Sequence, residues 1–377
     1  MPPTTLVAAQ GTQLLMLPNE VLAAIIEGAA LADQATLCRV SRLFHQLSLP
    51  ILNRAVILHV DRTTTEYSAF CSAMIQNYGR ADAIRFLALR DSRLGSERKP
   101  DYDLVTKSMG LMHRLEHLSI VDHSKLPGSD PGLIPCLESL SFPALRICHI
   151  DLDLNFVHRR GPAVARFLAR HPNLTHVRLW QQQITDSSTW ASASTLLPNL
   201  RHFQGSACFV PALATRRLTE ARIDWWGFPD IDGVLEALRS ASVEIETGLP
   251  FVLSNFHFHA GVDELRALLQ ALSVHMSHTT TLQLRILLPR EAMKMLAEYL
   301  PRFTRLEYVA LNQPQHLSFS LGPSEWLNLQ SWGDACPTLR ACSVGSQAWR
   351  RMDDGKWEEY DKGDFEMEAG LSVFELI

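Results

Sequence analysis

The chain has 377 residues, of which 46% are hydrophobic and 20% charged, with a formal net charge of −5. The length exceeds one ordinary compact domain and the apolar share is enough to bury a core, which excludes a chain disordered throughout. The mild negative charge leaves no electrostatic footprint for nucleic acid or for an anionic membrane surface. Seven scattered cysteines with no Cys-x-x-Cys pair point to neither a disulfide framework nor a zinc ribbon, and read as small buried hydrophobes in a reducing compartment. The first residues lack the basic start and apolar run of a secretory signal. No uncharged apolar stretch is long enough to span a bilayer, so the expected location is cytoplasmic or nuclear, with no membrane partner.

Residues 1–12 are expected to be disordered. Leu17-Pro18-Asn19-Glu20 then reads as a helix start, with proline at the first helical position and glutamate in the first turn. Val21, Leu22, Ile25 and Ile26 follow as one apolar stripe. Asp33 is placed to cap a second helix carrying Leu37 and Val40, and Ser41 to cap a third with Leu43, Phe44 and Leu47 on its apolar face. Pro50 is expected to close that third helix, and Ile51-Leu52-Asn53-Arg54 leads to the strand-like Ala55-Val56-Ile57-Leu58. Three short helices bury too little apolar surface to stand alone, so the unit needs a partner, either the rest of the chain or another protein.

The sequences Leu-Pro-x-Glu-Val-Leu-x-x-Ile-Ile and Leu-x-x-Val-Ser-Arg-Leu-Phe-x-x-Leu, followed by Pro50, resemble the F-box motif in content, order and spacing. The small, alanine-rich stretch Gly28-Ala29-Ala30-Leu31-Ala32 departs from that family, which often carries a bulkier apolar residue there. The resemblance implies an F-box over 13–58 that binds the Skp-type adaptor of a Skp–cullin–F-box ubiquitin ligase. It implies adaptor contacts drawn from Leu17, Pro18, Val21, Leu22, Ile25, Ile26, Leu37, Val40, Ser41, Leu43 and Phe44, some of which hold the module's own core instead.

Beyond residue 60 an apolar pattern Φ-x-x-Φ-x-Φ recurs, as Ile84/Leu87/Leu89, Leu115/Leu118/Ile120, Leu145/Cys148/Ile150 and Leu174/Val177/Leu179. It continues less regularly as Leu218/Ala221/Ile223, Leu306/Val309/Leu311 and Leu339/Cys342/Val344, and a copy at Leu200/Phe203 breaks at Gly205. The first four copies start 31, 30 and 29 residues apart. A proline two residues before the opening leucine in several copies (Pro143, Pro172, Pro198, Pro337) stops a helix and presets an extended strand. Helical spacing separates the copies, as in Phe70/Met74/Tyr78, Val164/Phe167/Leu168, Val262/Leu265/Leu268/Leu269/Leu272 and Met293/Leu296/Leu300. Strand then helix at a period near 30 indicates an irregular leucine-rich-repeat array over 59–346; it resembles the irregular repeats that follow the F-box in fungal proteins. The fold class is therefore α/β, a small three-helix F-box followed by a leucine-rich-repeat solenoid. A closed α/β domain with a parallel sheet is the alternative.

In such a strand the Φ side chains point inward and the alternating positions face the concave surface. Those positions hold His117, His149, His176, Arg178, His202, Gln204, Glu220, Arg222 and Tyr308, with Asp151, Trp180, Asp224 and Asn312 one step beyond the last Φ. Ser119, Arg178 and Ala310 are expected to face solvent. Because Trp, Tyr and Arg concentrate binding energy, the target-binding set is His149, Asp151, His176, Arg178, Trp180, His202 and Arg222, and the target itself is an unknown protein. No phosphate loop, nucleophile elbow or zinc helix occurs, and no catalytic residue or cofactor is expected. The nearest thing to a metal site is Asn255-Phe256-His257-Phe258-His259 with His275 and His278. The residues from Asp353 to Glu368 hold eight acids and two lysines and read as a terminal cap, over 347–377, with an acidic outer face; a peptide-like regulatory segment is the other reading. Trp225-Trp226 reads as core or rim packing. The functional expectation is a substrate receptor of a cullin ubiquitin ligase. The alternatives are an F-box scaffold without ligase output, or a small-molecule or metal-binding α/β domain using His257, His259 and His275.

Overall fold

The computed structural model describes residues 17–59, 64–91, 101–122, 134–152, 157–181, 195–225, 230–242, 249–258, 262–286, 289–312 and 323–371. The segment 1–12, Trp226 and His259 lie outside the described residues. Among the described residues three helices come first: α1 (Asn19–Glu27), α2 (Leu31–Leu37) and α3 (Arg42–Leu52). Pro18 occupies the N-cap with φ −55° and ψ 147°, one residue before the first helical position. Asp33 caps nothing. Helix α2 starts at Leu31 from an extended Ala30, which leaves Asp33 in the first turn, where its charge suits the dipole. Ser41 does cap α3, its Oγ accepting from the Phe44 N–H at 3.2 Å. Pro50 does not close that helix, which runs on to Leu52, since a proline in the last turn removes one amide donor and leaves the bond from Asn53 N–H to Leu49 O at 3.1 Å intact.

The strands are β1 (Ala55–His59), β2 (Phe86–Asp91), β3 (His117–Asp122), β4 (Ile147–Leu152), β5 (His176–Gln181), β6 (Thr195–Leu196), β7 (His202–Ser206) and β8 (Leu213–Ala214). They continue with β9 (Glu220–Asp224), β10 (Val252–Phe258), β11 (Thr281–Ile286), β12 (Tyr308–Asn312), β13 (Ala341–Val344), β14 (Gln347–Arg351) and β15 (Trp357–Tyr360). Strands β6 and β8 form a separate two-stranded ribbon; the other thirteen form one sheet in chain order. All pairings from β1 to β13 are parallel, and β14 and β15 close the far edge in antiparallel. A doubly wound sheet reverses its strand order at a switch point; this one never does. It is a solenoid, each strand lying beside its predecessor.

The helices between strands are α4 (Thr64–Gln76), α5 (Tyr78–Ala83), α6 (Tyr102–Met109), α7 (Ile134–Leu137), α8 (Val157–Ala169), α9 (Ile231–Ala241), α10 (Val262–His275), α11 (Pro289–Tyr299) and α12 (Pro323–Ala335), and α13 (Lys362–Glu368) follows β15. Their apolar stripes and the inward strand residues form one continuous core, from Tyr67 and Cys71 to Trp332 and Leu339. Every residue of the seven complete Φ-x-x-Φ-x-Φ copies is buried. Two helical expectations fail locally. Tyr78 is exposed because Asn77 starts a new helix there, its side chain accepting from Arg80 N–H at 3.2 Å, and Val262, at the first residue of α10, is exposed.

Two irregular strands have a packing reason. At Gly205 a Cβ would stand 2.3 Å from Leu179 O, so no side chain fits at the third inward position of β7. In β10 that inward position is Asn255, fully buried and accepting from the Trp225 indole N–H at 2.8 Å. Register aligns Asn255 with Ile223 on one side and Leu284 on the other. The prolines before the strands have a second role: Asn173 donates to Pro143 O and Asn199 to Pro172 O, both at 3.0 Å, stitching one repeat to the next. Among the described residues no helix is long and apolar enough to cross a membrane.

Candidate functional site

Two surfaces carry the residues that the sequence singled out. The first is the outer face of α1 and the turn before α3. The stripe on α1 is two columns wide. Leu22 and Ile26 point inward and are 2% and 0% exposed, while Leu17, Val21 and Ile25 stand outside, with Ile25 54% exposed. Leu31 and Val40 add two more exposed apolar side chains. Pro18 and Ser41 are exposed too, and Leu37, Leu43 and Phe44 are half-buried. An alternating helical stripe cannot reveal which column faces the module's core; the packing of α1 on α3 decides it. Leu31 sits in the stretch that departs from the F-box pattern and nevertheless presents a large apolar side chain.

These helices have no flexible tether. Arg54 follows α3 directly, its side chain pairs with Glu27 at the end of α1, and its carbonyl accepts from Arg85 N–H at 2.8 Å and Phe86 N–H at 2.9 Å. Strand β1 begins at the next residue, so the helices end inside the sheet of the array.

The second surface is the concave face. Register places His149 beside Arg178, Asp151 beside Trp180, and His176 beside His202, which brings six of the seven target-set residues onto three neighbouring strands. The Arg178 guanidinium lies 5.8 Å from the Trp180 ring centroid. Histidine rings run across the strands: Phe86 to His117 at 4.5 Å, His117 to His149 at 4.8 Å, and His176 stacked on His202 at 4.2 Å. Burial pushes His117 down to about 4. Burial, then the neighbouring His117 and the Arg178 cation, pushes His149 to about 3, and burial with His202 beside it pushes His176 to about 4. His117, His149 and His176 are therefore neutral near pH 7. Where the chain enters these strands, Arg146 and Arg201 line a groove of about 600 Å³ with Asn173, Thr175, Asn199 and His176.

Arg222, the seventh of the set, is elsewhere. It is buried, donating to Glu220 Oε1 at 2.9 Å and, through Nη2, to Leu371 O at 2.6 Å. Ala310, expected in solvent, is fully buried. Both have one cause: residues 362–371 cross the concave face. The hairpin β14–β15 lies at the sheet edge, α13 turns back over β13 and β12, and residues 369–371 reach β9. The sequence contained the signal, an amphipathic Phe365-x-x-x-Ala369-x-Leu371, but not its docking place. His275 and His278 do not converge; His275 lies 3.2 Å from Asp232 and His278 3.1 Å from Ser242. Among the described residues no three metal-ligating side chains gather.

No protein-family model matches the chain, and no curated protein is detectably similar to it. Solved structures are. The leucine-rich repeat-containing protein LegL7 from Legionella pneumophila aligns with a TM-score of 0.44 at 13% identity, over 80% of this chain and 85% of that one. An internalin, InlF, from Listeria monocytogenes aligns with a TM-score of 0.30 at 11% identity, over 74% of this chain and 88% of that one.

Proposed function

We propose that this protein is the substrate receptor of a Skp–cullin–F-box ubiquitin ligase, its N-terminal helices docking a Skp-type adaptor and its concave face holding a protein target. The supporting observation is the uncovered apolar face of Leu17, Val21, Ile25, Leu31 and Val40, on helices whose inward residues are already buried. Each Å² of such surface gains about 25 cal/mol when it is covered, and so many exposed large apolar side chains in one short helical segment favour an interaction site. Because α3 runs directly into β1, an adaptor and a target bound at these two places stand in fixed relation. The ligase would then act by proximity, raising the effective concentration of a target lysine near the charged conjugating enzyme. In this reading the chain supplies no catalytic residue and works in the cytoplasm or nucleus.

The test is co-purification of the adaptor with wild type and with Val21→Asp, Ile25→Asp. Both side chains are exposed, so the variant is expected to fold normally. Adaptor capture should fall at least tenfold, as expected when a leucine-sized contact of about 1.5–3 kcal/mol is lost at each position. Undiminished capture would overturn the reading.

A further inference from the structure

We propose that the concave surface of β9–β13 is a docking groove for a short partner helix bearing an aromatic residue, and that residues 362–371 occupy it in cis as a displaceable strap. The proposal stands whether or not the N-terminal helices bind an adaptor.

The strap's path is fixed by contacts on successive strands. Lys362 Nζ donates to Ser343 Oγ of β13 at 2.6 Å. Phe365 is fully buried, its ring 6.2 Å from that of Tyr308 on β12. Thr281 of β11 donates to Ala369 O at 2.9 Å, and Arg222 of β9 donates to Leu371 O at 2.6 Å. Between them Gly370 has φ +71°, and a Cβ there would stand 3.3 Å from Val252 Cγ2 on β10.

Two features make this a receptor surface rather than ordinary core. Several concave positions in this half are short, with Ser254, Ala310, Ala341 and Ser343 all buried, so between the longer Arg222, Gln283 and Tyr308 the sheet leaves room for the strap, where the open half of the same face carries a row of histidines. The groove also reads backbone: Thr281 and Arg222 donate to main-chain carbonyls, which any chain in that path can supply. Side chains are selected at the seat of Phe365, at the lysine on Ser343, at Glu368, which pairs with Arg350 of β14, and at the buried Ala369 and Leu371. The match in cis is incomplete as well, since Ser254 Oγ is buried without a hydrogen-bond partner, and a competitor that satisfies it would have an advantage.

The strap is also weakly held compared with what lies beneath it. Each strand from β9 to β13 has ladders on both sides and a core face, whereas the strap has α13, three buried apolar side chains, an ion pair and a few hydrogen bonds. Segments of that kind open locally, well below the free energy of global unfolding.

The experiment uses the full chain and, as probe, a fluorescein-labelled synthetic peptide of residues 361–371, titrated by anisotropy against wild type and against Phe365→Asp. The peptide should bind the variant at least tenfold more tightly than wild type, because the charged residue releases the strap. A natively folded variant that binds the peptide no better than wild type would overturn the proposal. If Phe365→Asp does not fold, hydrogen exchange on wild type decides. Amides of 362–371 should then exchange at least a hundredfold faster than those of β11 and β12; equal rates would show the strap to be an integral part of the array, and the proposal would fail.

Discussion

The concave face is one sheet with two different surfaces. From β2 to β7 it presents His117, Ser119, His149, His176, Arg178, His202 and Gln204, and most of these side chains keep some contact with solvent. From β9 to β13 the equivalent positions hold Glu220, Arg222, Ser254, Gln283, Ala310 and Ser343, all buried. The inward faces of the two halves are alike, mostly leucine, isoleucine and valine, interrupted by Gly205 in β7 and Asn255 in β10. The difference teaches that the repeat itself dictates only what points into the core. What a strand shows on its other side depends on what lies across it, and here residues 362–371 lie across half. Glu220 sits at the seam, accepting from Arg222 under the strap and lying 3.1 Å from His202 in the open half.

The likeness of the two inward faces predicts the largest effect. Leu118→Ala in the open half and Leu311→Ala in the covered half should each cost about 2–5 kcal/mol in urea unfolding, because both side chains are fully buried. A much smaller loss at Leu311 would mean that the covered half has a looser core and would break the comparison.

The histidine row predicts an acid-sensitive open half. Its folded values, about 4, 3 and 4 for His117, His149 and His176, lie below the unfolded value near 6.5. As pH falls below about 6.5 the unfolded chain takes up protons that the folded chain refuses, so stability declines across the window from 6.5 to about 3. Partial solvation of His149 and His176 limits the loss to about 1–3 kcal/mol in all. His117→Phe with His149→Phe should flatten the pH dependence of the urea midpoint; an unchanged slope would show that the row does not titrate in this way.

The strap predicts an asymmetry between two small concave residues. Ala310→Leu should overpack the trough and cost about 1–3 kcal/mol, whereas Ser119→Leu in the open half should stay within about 0.5 kcal/mol. Equal effects in thermal unfolding would contradict the division of the face. The smallest effect on stability is expected for Arg178→Ala with Trp180→Ala, within about 0.5 kcal/mol per site. That double variant should lose its non-adaptor partners in a pull-down while keeping the adaptor. Retention of the full set would move target recognition to the strap groove or to the groove beside Arg146 and Arg201.

Much of this molecule is legible along the chain, because local alternation is a local property. A residue two steps from an inward leucine in a strand also points inward, whatever the rest of the protein does. Leu118, Ile120, Val177, Leu179, Val309 and Leu311 are buried for that reason. Ser41 capped its helix for a similarly local one, a side chain within reach of an amide three residues on. Other features depended on partners distant in sequence. Asn255 takes an inward position because Trp225 offers it an indole N–H, and Gly205 because the Leu179 carbonyl leaves no room for a Cβ. Which of Val21, Leu22, Ile25 and Ile26 faced outward waited on the packing of α1 against α3. The burial of Arg222 and Ala310 waited on a segment that ends 149 residues beyond Arg222. Sequence alone determined the period and the inward face, since both follow from backbone geometry repeated residue by residue. Only the tertiary structure decided which outward face stays open, since that is set by long-range covering, which no local pattern encodes.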